Sequence, residues 1–344
     1  MLSVAAATAG HGGYYLDLAR PDYYLAAGEP PGRWGGGGAA ALGLAGAVGR
    51  EAFERLLSGH RPDGVAAVQL QRGKGHKAGY DLTFSVPKSV SAAWAVAGED
   101  TRRRIEELTD RAVEAALEFL EETAAVSRRG RGGLRRDPAR LVVAKFQHGS
   151  SRSLDPHLHV HAFVANVCVR PDGTTGTLEG PPLFRAKMAA GALFRAELAS
   201  LLETELGWAT ARDGQSFRAD GVPKELETKW SSRRHAIEEA LARAGPSGAK
   251  AAAVATLATR GEKVLRPRAE LHGRWAGEAL ALGFTPDHVV GLGRTTPARD
   301  AAVEVSTAVT FALERLTRHQ SHFSERELVR FAAEEAQGRG AGAQ

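Results

Sequence analysis

The stretch FQHGSSRSLDPHLHVHAFVAN, from Phe146 to Asn166, decides how this chain is read. On a strand, alternate side chains share a face. His157, His159, His161 and Phe163 therefore point one way, while Leu158, Val160, Ala162 and Val164 point the other way, toward a core. That pattern suits a half-buried sheet that presents a site. Leu141 to His148 reads as a second strand, antiparallel to the first across the turn-rich GSSRSLDP. Same-face neighbours about 6.6 Å apart allow two imidazoles to converge on one ion at roughly 2.0–2.1 Å each. His148, at the end of the partner strand, is placed to supply a third ligand. The plain alternative is a polar strand face in water. Neutral imidazoles suit Zn, Mn, Fe, Co or Ni, and the donor set alone does not choose among them.

Outward from this segment the order is mixed first and helical later. Tyr80 to Val86 is strand-like and ends at Pro87; Ser89 is placed to start the apolar helix that follows. GREAFERLLSG, from Gly49 to Gly59, reads as a short helix closed by Gly59, and Thr101 to Ala125 as a long one with apolar residues at helical spacing. Arg128, Arg129, Arg131, Arg135, Arg136 and Arg140 crowd one Gly-rich stretch, read either as a solvated flexible loop or as a phosphate-contacting patch. Beyond Pro182, helices are expected over Leu183–Leu206, Trp230–Ala244, Ala249–Thr259 and Glu270–Leu282, with a further helical piece from about Thr296. The fold class expected is α+β, a central antiparallel sheet with flanking helices and a helix-rich C-terminal part.

Two smaller signals carry chemistry. Four of the five tyrosines fall in pairs, Tyr14-Tyr15 and Tyr23-Tyr24. Aromatic packing explains such pairs, and so does a covalent nucleophile; the phenol, with a pKa near 10, then needs a base or a metal nearby. Asp81 is a carboxylate inside a strand that otherwise reads as core, a local inconsistency of the kind found at functional sites. It either orients a metal-bound histidine or takes a tyrosine proton. Being an exposed edge-strand residue is the third possibility.

The bulk properties are permissive. A formal charge of +5 over 344 residues is compatible with a nucleic-acid partner without requiring one. The single cysteine, Cys168, excludes an internal disulfide framework and a cysteine-based zinc site. MLSVAAATAG lacks the charged start of a secretory signal, and no apolar run reaches membrane length, so a cytoplasmic protein without membrane insertion is expected.

Together the paired tyrosines, DYYLAAGEPPGRW, GYDLTFSVPKSVS, FQHGSSRSLDPHLHVHAFVANV and GVPKELETKWSSRRHAIEEAL resemble, in order over residues 14–240, the MobF family of conjugative relaxases within the HUH (His-hydrophobic-His) endonucleases. The resemblance implies an HUH palm and metal ligands at His148, His159 and His161. His157 stands where relatives often carry Gln and is not counted among them. It implies that Asp81 supports the metal site and tyrosine activation, that Tyr14 is the primary nucleophile, and that Tyr23 serves a later strand transfer. The choice among the four tyrosines stays open, because the spacing between the pairs is short here. Arg152, Lys88 and Trp34 are implied DNA contacts.

The cofactor implied is one divalent metal ion, Mg or Mn in function, with Zn or Ni also able to occupy the site. The partner implied is single-stranded DNA at the nick site of a transfer origin, alongside accessory DNA-processing and coupling proteins. Residues 1–295 form the expected nicking and strand-transfer domain, and 296–344 a helical extension resembling the start of a helicase region. No G-x-x-x-x-G-K-[ST] motif occurs, so helicase activity is not expected of this chain. The rival readings are a replication or transposition nickase of the same chemistry, a non-catalytic single-stranded DNA-binding remnant, and a small-molecule metal hydrolase. The last would leave the tyrosine pairs unexplained.

Overall fold

The structure is a computed structural model that describes residues 1–8, 28–68, 77–244, 266–292, 300–318 and 320–342. Its centre is an antiparallel sheet of β1 (Leu2–Thr8), β2 (Arg33–Gly35), β3 (Lys77–Ser85), β6 (Arg140–Ser150) and β7 (Pro156–Val169), in the spatial order β1-β3-β7-β6-β2. The short β8 (Thr175–Gly176) pairs with the far end of β7. The histidine-bearing strand β7 thus lies at the middle of the sheet.

The two faces of β7 explain how the helices are arranged. Leu158, Val160, Ala162 and Val164 join Leu82 and Phe84 of β3 in the main core. That face is covered by α3 (Lys88–Val96), α4 (Glu99–Ala124) and α5 (Gly180–Leu206). Helix α4 buries Ile105, Leu108, Ala112, Val113, Ala116, Leu117 and Leu120, a stripe at i, i+3 and i+4 spacing. Each fully buried leucine there contributes roughly 1.5–3 kcal/mol. The opposite face divides along its length. Phe163, Ala165 and Val167, with Val142, Ala144 and Phe146 of β6, are covered by α1 (Gly37–Ala41) and α2 (Arg50–Leu57). Phe53 of α2 stands edge-on to Phe163, with ring centres 5.4 Å apart. The half that carries His157, His159 and His161 extends beyond those aromatic residues. The expected half-buried sheet is therefore corrected: both faces are covered, and the second is left to the imidazoles where its apolar residues stop. Gly36 (φ +77) lets α1 approach this closely, since a Cβ there would lie 2.5 Å from the Leu141 carbonyl.

The arginine-rich stretch is an ordered hairpin, not a loop. β4 (Val126–Arg129) pairs with β5 (Arg135–Pro138) through a 3-10 turn at Arg131–Gly133. Its guanidiniums are held by acids: Arg128 and Arg136 by Glu179 at 2.8 and 3.0 Å, Arg129 by Asp172 at 2.6 Å, and Arg135 by Asp137 at 2.7 Å.

A second small hairpin, β9 (Thr210–Asp213) with β10 (Ser216–Ala219), precedes the later helices. The helix expected over Trp230–Ala244 is found as α7 (Ser232–Ala244), and a short α6 (Lys224–Lys229), which was not expected, precedes it. The Asp155 carboxylate accepts from the backbone N–H and the hydroxyl of Ser232, which starts a new helix there. Helix α3 likewise starts at Lys88, one residue before Ser89, whose hydroxyl accepts from the Ala219 N–H. The helix expected over Ala249–Thr259 lies outside the described residues. α8 (Arg268–Leu280) and α9 (Pro286–Gly291) follow. α10 (Ala301–Thr317) and α11 (Glu325–Ala336) pack with α5 through Ala192, Ala196, Ala308, Ala333 and Ala336.

Candidate metal centre

His148 and His159 face each other directly across β6 and β7, and His161 stands opposite Phe146 one step further along. The ring centres are 5.3 Å apart for His148 and His159, 5.2 Å for His148 and His161, and 5.1 Å for His159 and His161. One nitrogen of each ring lies within 4.8 Å of the other two. Three donors that close can converge on one small ion at roughly 2.0–2.1 Å each with small side-chain movements. Antiparallel pairing accounts for the convergence, since it brings three same-face side chains from two strands to one point.

Hydrogen bonds select which nitrogen each ring offers. His159 Nδ1 lies 2.8 Å from the His157 carbonyl, so Nδ1–H donates and Nε2 keeps its lone pair. His161 Nδ1 lies 3.0 Å from each carboxylate oxygen of Asp81, so Nδ1–H donates and Nε2 is the nitrogen with the lone pair. Thr83 brings its hydroxyl to 3.3 Å from His161 Nδ1 and 3.5 Å from Asp81 Oδ2. Burial, reinforced by the neighbouring imidazoles of His157, His161 and His148, pushes the His159 pKa well below its ordinary value. The ring is therefore neutral near pH 7, the form that binds a metal.

His157 stands outside this group of three. Its ring is tilted 31° against His159 at 4.6 Å, and its Nε2 is 3.4 Å from the Ser85 hydroxyl. Burial, with Lys88 and other positive charges nearby, lowers its pKa to about 3.

The other residues singled out from the sequence fall in different settings. Tyr14, Tyr15, Tyr23 and Tyr24 lie outside the described residues. Arg152 is half-buried in the turn between β6 and β7. Trp34 is half-buried on edge strand β2, with its ring edge-on to Phe53 at 6.2 Å, so it serves as packing for the second face. Lys88 is turned inward: its ammonium donates to the carbonyls of Pro156 at 2.9 Å and Trp230 at 2.6 Å. Thr83 was missed by the sequence reading. It sits two residues after Asp81 on the same face of β3, so strand alternation alone would have found it. Glu29 was also missed; its carboxylate accepts from the N–H of Gly149, next to His148.

Comparison with known proteins places this geometry. The family model of the TrwC relaxase matches residues 7–282. The multifunctional conjugation protein TraI of Escherichia coli strain K12 is 33% identical over 337 residues, 91% of this chain. The chain spans 18% of that relative's length. A copper-bound structure of the conjugative relaxase TrwC in complex with oriT DNA superposes with a TM-score of 0.73 at 32% identity, covering 83% of this chain and 99% of that one. TrwC complexed with a 27-mer DNA comprising the recognition hairpin and the cleavage site matches with the same TM-score and coverage at 30% identity.

Proposed function

The chain belongs to the TrwC relaxase family, and from that premise we propose that it nicks single-stranded DNA at a transfer origin by tyrosine transesterification and later rejoins the strand. The observation that carries this reading is the set of His148, His159 and His161 nitrogens within 4.8 Å of one another, with Asp81 behind His161.

The donor set fits a divalent metal ion. Two of the three rings have Nδ1–H committed to another acceptor, which makes Nε2 the lone-pair nitrogen, and the His159 ring is neutral. His148, His159 and His161 would hold the ion, which when bound draws charge from the non-bridging oxygens of the scissile phosphate. We take Mg²⁺ or Mn²⁺ as the working ion, with Zn²⁺ or Ni²⁺ also suited to the site. Imidazole sites bind Cu²⁺ more tightly than the other divalent first-row ions, so the copper-bound TrwC structure does not by itself select the working ion.

In this reading the Tyr14 phenolate oxygen attacks phosphorus in line. The new bond is Tyr–O–P, the bond broken is P–O3′, and the leaving 3′-oxygen takes up a proton. One phosphodiester replaces another, so the step is nearly balanced and reversible, which suits an enzyme that must reseal its substrate. Tyr23 takes the later transfer. The carboxylate of Glu29, six residues after Tyr23, accepts from the N–H of Gly149, next in sequence to His148. The contact with His161 supports Asp81 as the residue that fixes that ring's tautomer and direction, a role favoured over taking the tyrosine proton. Arg152 and the outward arginines of the β4–β5 hairpin are the proposed phosphate contacts.

We assign residues 1–295 to the nicking unit and 296–344 to a helical extension. The packing of α10 and α11 with α5 supports an extension docked on that unit. Among the described residues no helix is long and apolar enough to cross a membrane. Action in the cytoplasm, with accessory DNA-processing and coupling proteins, completes the proposal.

The test uses 3′-labelled single-stranded oligonucleotides tiled across the DNA that flanks the gene, with Mn²⁺, Mg²⁺ or chelator. A detergent-resistant protein–DNA adduct that needs the metal and is lost in Tyr14→Phe is the expected result. Cleavage without adduct would make water the nucleophile and overturn the tyrosine mechanism.

A further inference from the structure

We propose that Lys88 and Trp275 are positioning residues that lock the turn between β6 and β7, and so set how His148 on one strand meets His159 and His161 on the other. The inference rests on the metal-centre reading above. Leu154, in that turn, has φ +60, and among the described residues it is the only non-glycine with a left-handed backbone. A leucine adopts that conformation only where its surroundings over-determine it. Within the turn, the Ser151 hydroxyl accepts from the N–H groups of Ser153 and Asp155, both at 3.2 Å, and the Ser151 carbonyl accepts from the Leu154 N–H at 3.0 Å.

Three consecutive residues are then held from outside by three separate elements. The Leu154 carbonyl accepts from the Trp275 indole N–H at 3.0 Å and from the Arg274 guanidinium, both on α8. The Asp155 carboxylate accepts from Ser232 at the start of α7. The Pro156 carbonyl accepts from the Lys88 ammonium, at the start of α3, and the same ammonium also holds the Trp230 carbonyl. His157 follows immediately, and its own carbonyl fixes the ring of His159.

The other end of the turn is tied into the same cluster. Trp94 packs against Gly149, where a Cβ would collide with its ring, and Trp94 lies 5.9 Å from Trp275. Both ends of the connection between the two ligand strands are thereby fixed to α3 and α8. Lys88, whose resemblance-based role was a DNA contact, spends its charge on two backbone carbonyls instead.

The test uses the full chain and its Lys88→Met and Trp275→Phe variants, with Co²⁺ alone as the probe. Visible absorption and calorimetry report the metal; anisotropy of a labelled single-stranded oligonucleotide across a salt series reports DNA binding. Expected is Co²⁺ binding weaker by about 10-fold or more in each variant, a changed absorption band, and a salt dependence of DNA binding equal to that of the parent. Lys88→Met keeps the aliphatic stem and carries the test alone if Trp275→Phe does not fold. Unchanged Co²⁺ affinity and spectrum, even with a lower Tm, would overturn the proposal. So would a Lys88→Met salt slope reduced by about 0.7 with the metal unaffected, the signature of one lost phosphate contact. A parent protein that does not bind Co²⁺ would instead overturn the metal-centre reading itself, and this inference with it.

Discussion

The Nδ1 atom of His161 sits 3.0 Å from both carboxylate oxygens of Asp81, so one ring N–H is shared by two acceptors on the neighbouring strand. Their Cα atoms are not direct cross-strand partners: His161 pairs with Thr83, and Asp81 with Phe163. The contact is a diagonal on one face, within reach of a long side chain. Asp81 is buried to 9% exposure, so its carboxylate has few other ways to be solvated.

Asp81→Ala is therefore expected to leave the fold in place and lower metal affinity about 10–100-fold, because the ring loses the partner that fixes its tautomer. Calorimetric titration with Mn²⁺ checks this. An affinity equal to the parent's would show that the diagonal contact does not orient the ligand.

His159→Ala should abolish cleavage while single-stranded DNA binding stays within a few-fold of the parent. His159 is the most enclosed of the three rings by the other imidazoles and offers nothing to a phosphate beyond a ligand position. Adduct gels and anisotropy on the same preparation separate the two effects. Persistent metal-dependent nicking would count against the ligand set.

His272 is expected to make the fold acid-sensitive. Burial holds its pKa at about 4, with Arg102 and Arg268 adding to the effect and the Ala95 carbonyl opposing it. Its Nδ1 lies 3.0 Å from the Ala95 carbonyl, its Nε2 faces the Arg268 guanidinium, and Glu106 lies on the far side of Arg268. The folded pKa lies below the unfolded value near 6.5, so the unfolded chain takes up the proton first. Stability present above about pH 6.5 is thus lost as pH falls toward 4, by on the order of 3 kcal/mol when complete. In His272→Asn the fall in Tm between pH 7 and pH 4.5 should be visibly shallower. An identical slope would assign the acid sensitivity to other groups.

Glu334 is 1% exposed and lies 2.9 Å from Arg330 and 3.7 Å from Arg315, with the buried Arg195 of α5 drawing on the same charge. Glu334→Ala strands a buried guanidinium, and the unfolding free energy should fall by about 3 kcal/mol. Urea denaturation measures it. A change under about 0.5 kcal/mol would mean that the extension is not energetically coupled to α5.

Much of the centre was legible in the sequence because strand alternation is a strict geometric rule. It assigned the two faces of β7 correctly, paired β6 with β7, and marked Asp81 as out of place in its strand. What it could not reach depends on contacts distant in sequence. The arginine stretch lacks apolar periodicity, and its hairpin is held by Glu179 and Asp172, more than 30 residues further on. Alanine-rich β1 carries little strand signal by itself and is an edge strand only because β3 accepts it. The inward turn of Lys88 is set by carbonyls 68 and 142 residues away. A lysine after Pro87 at a helix start gives no local sign of that.

The three imidazoles come from two strands joined by a short turn, within fourteen residues of sequence from His148 to His161. A local hairpin forms in about 1–10 μs, whereas β1–β3 and β2–β6 require closure of far longer loops. The three imidazoles therefore stay close along the chain even before it has folded. A divalent ion will bind unfolded chains as well, so the stabilisation it confers on the folded protein should fall short of what its native-state affinity implies.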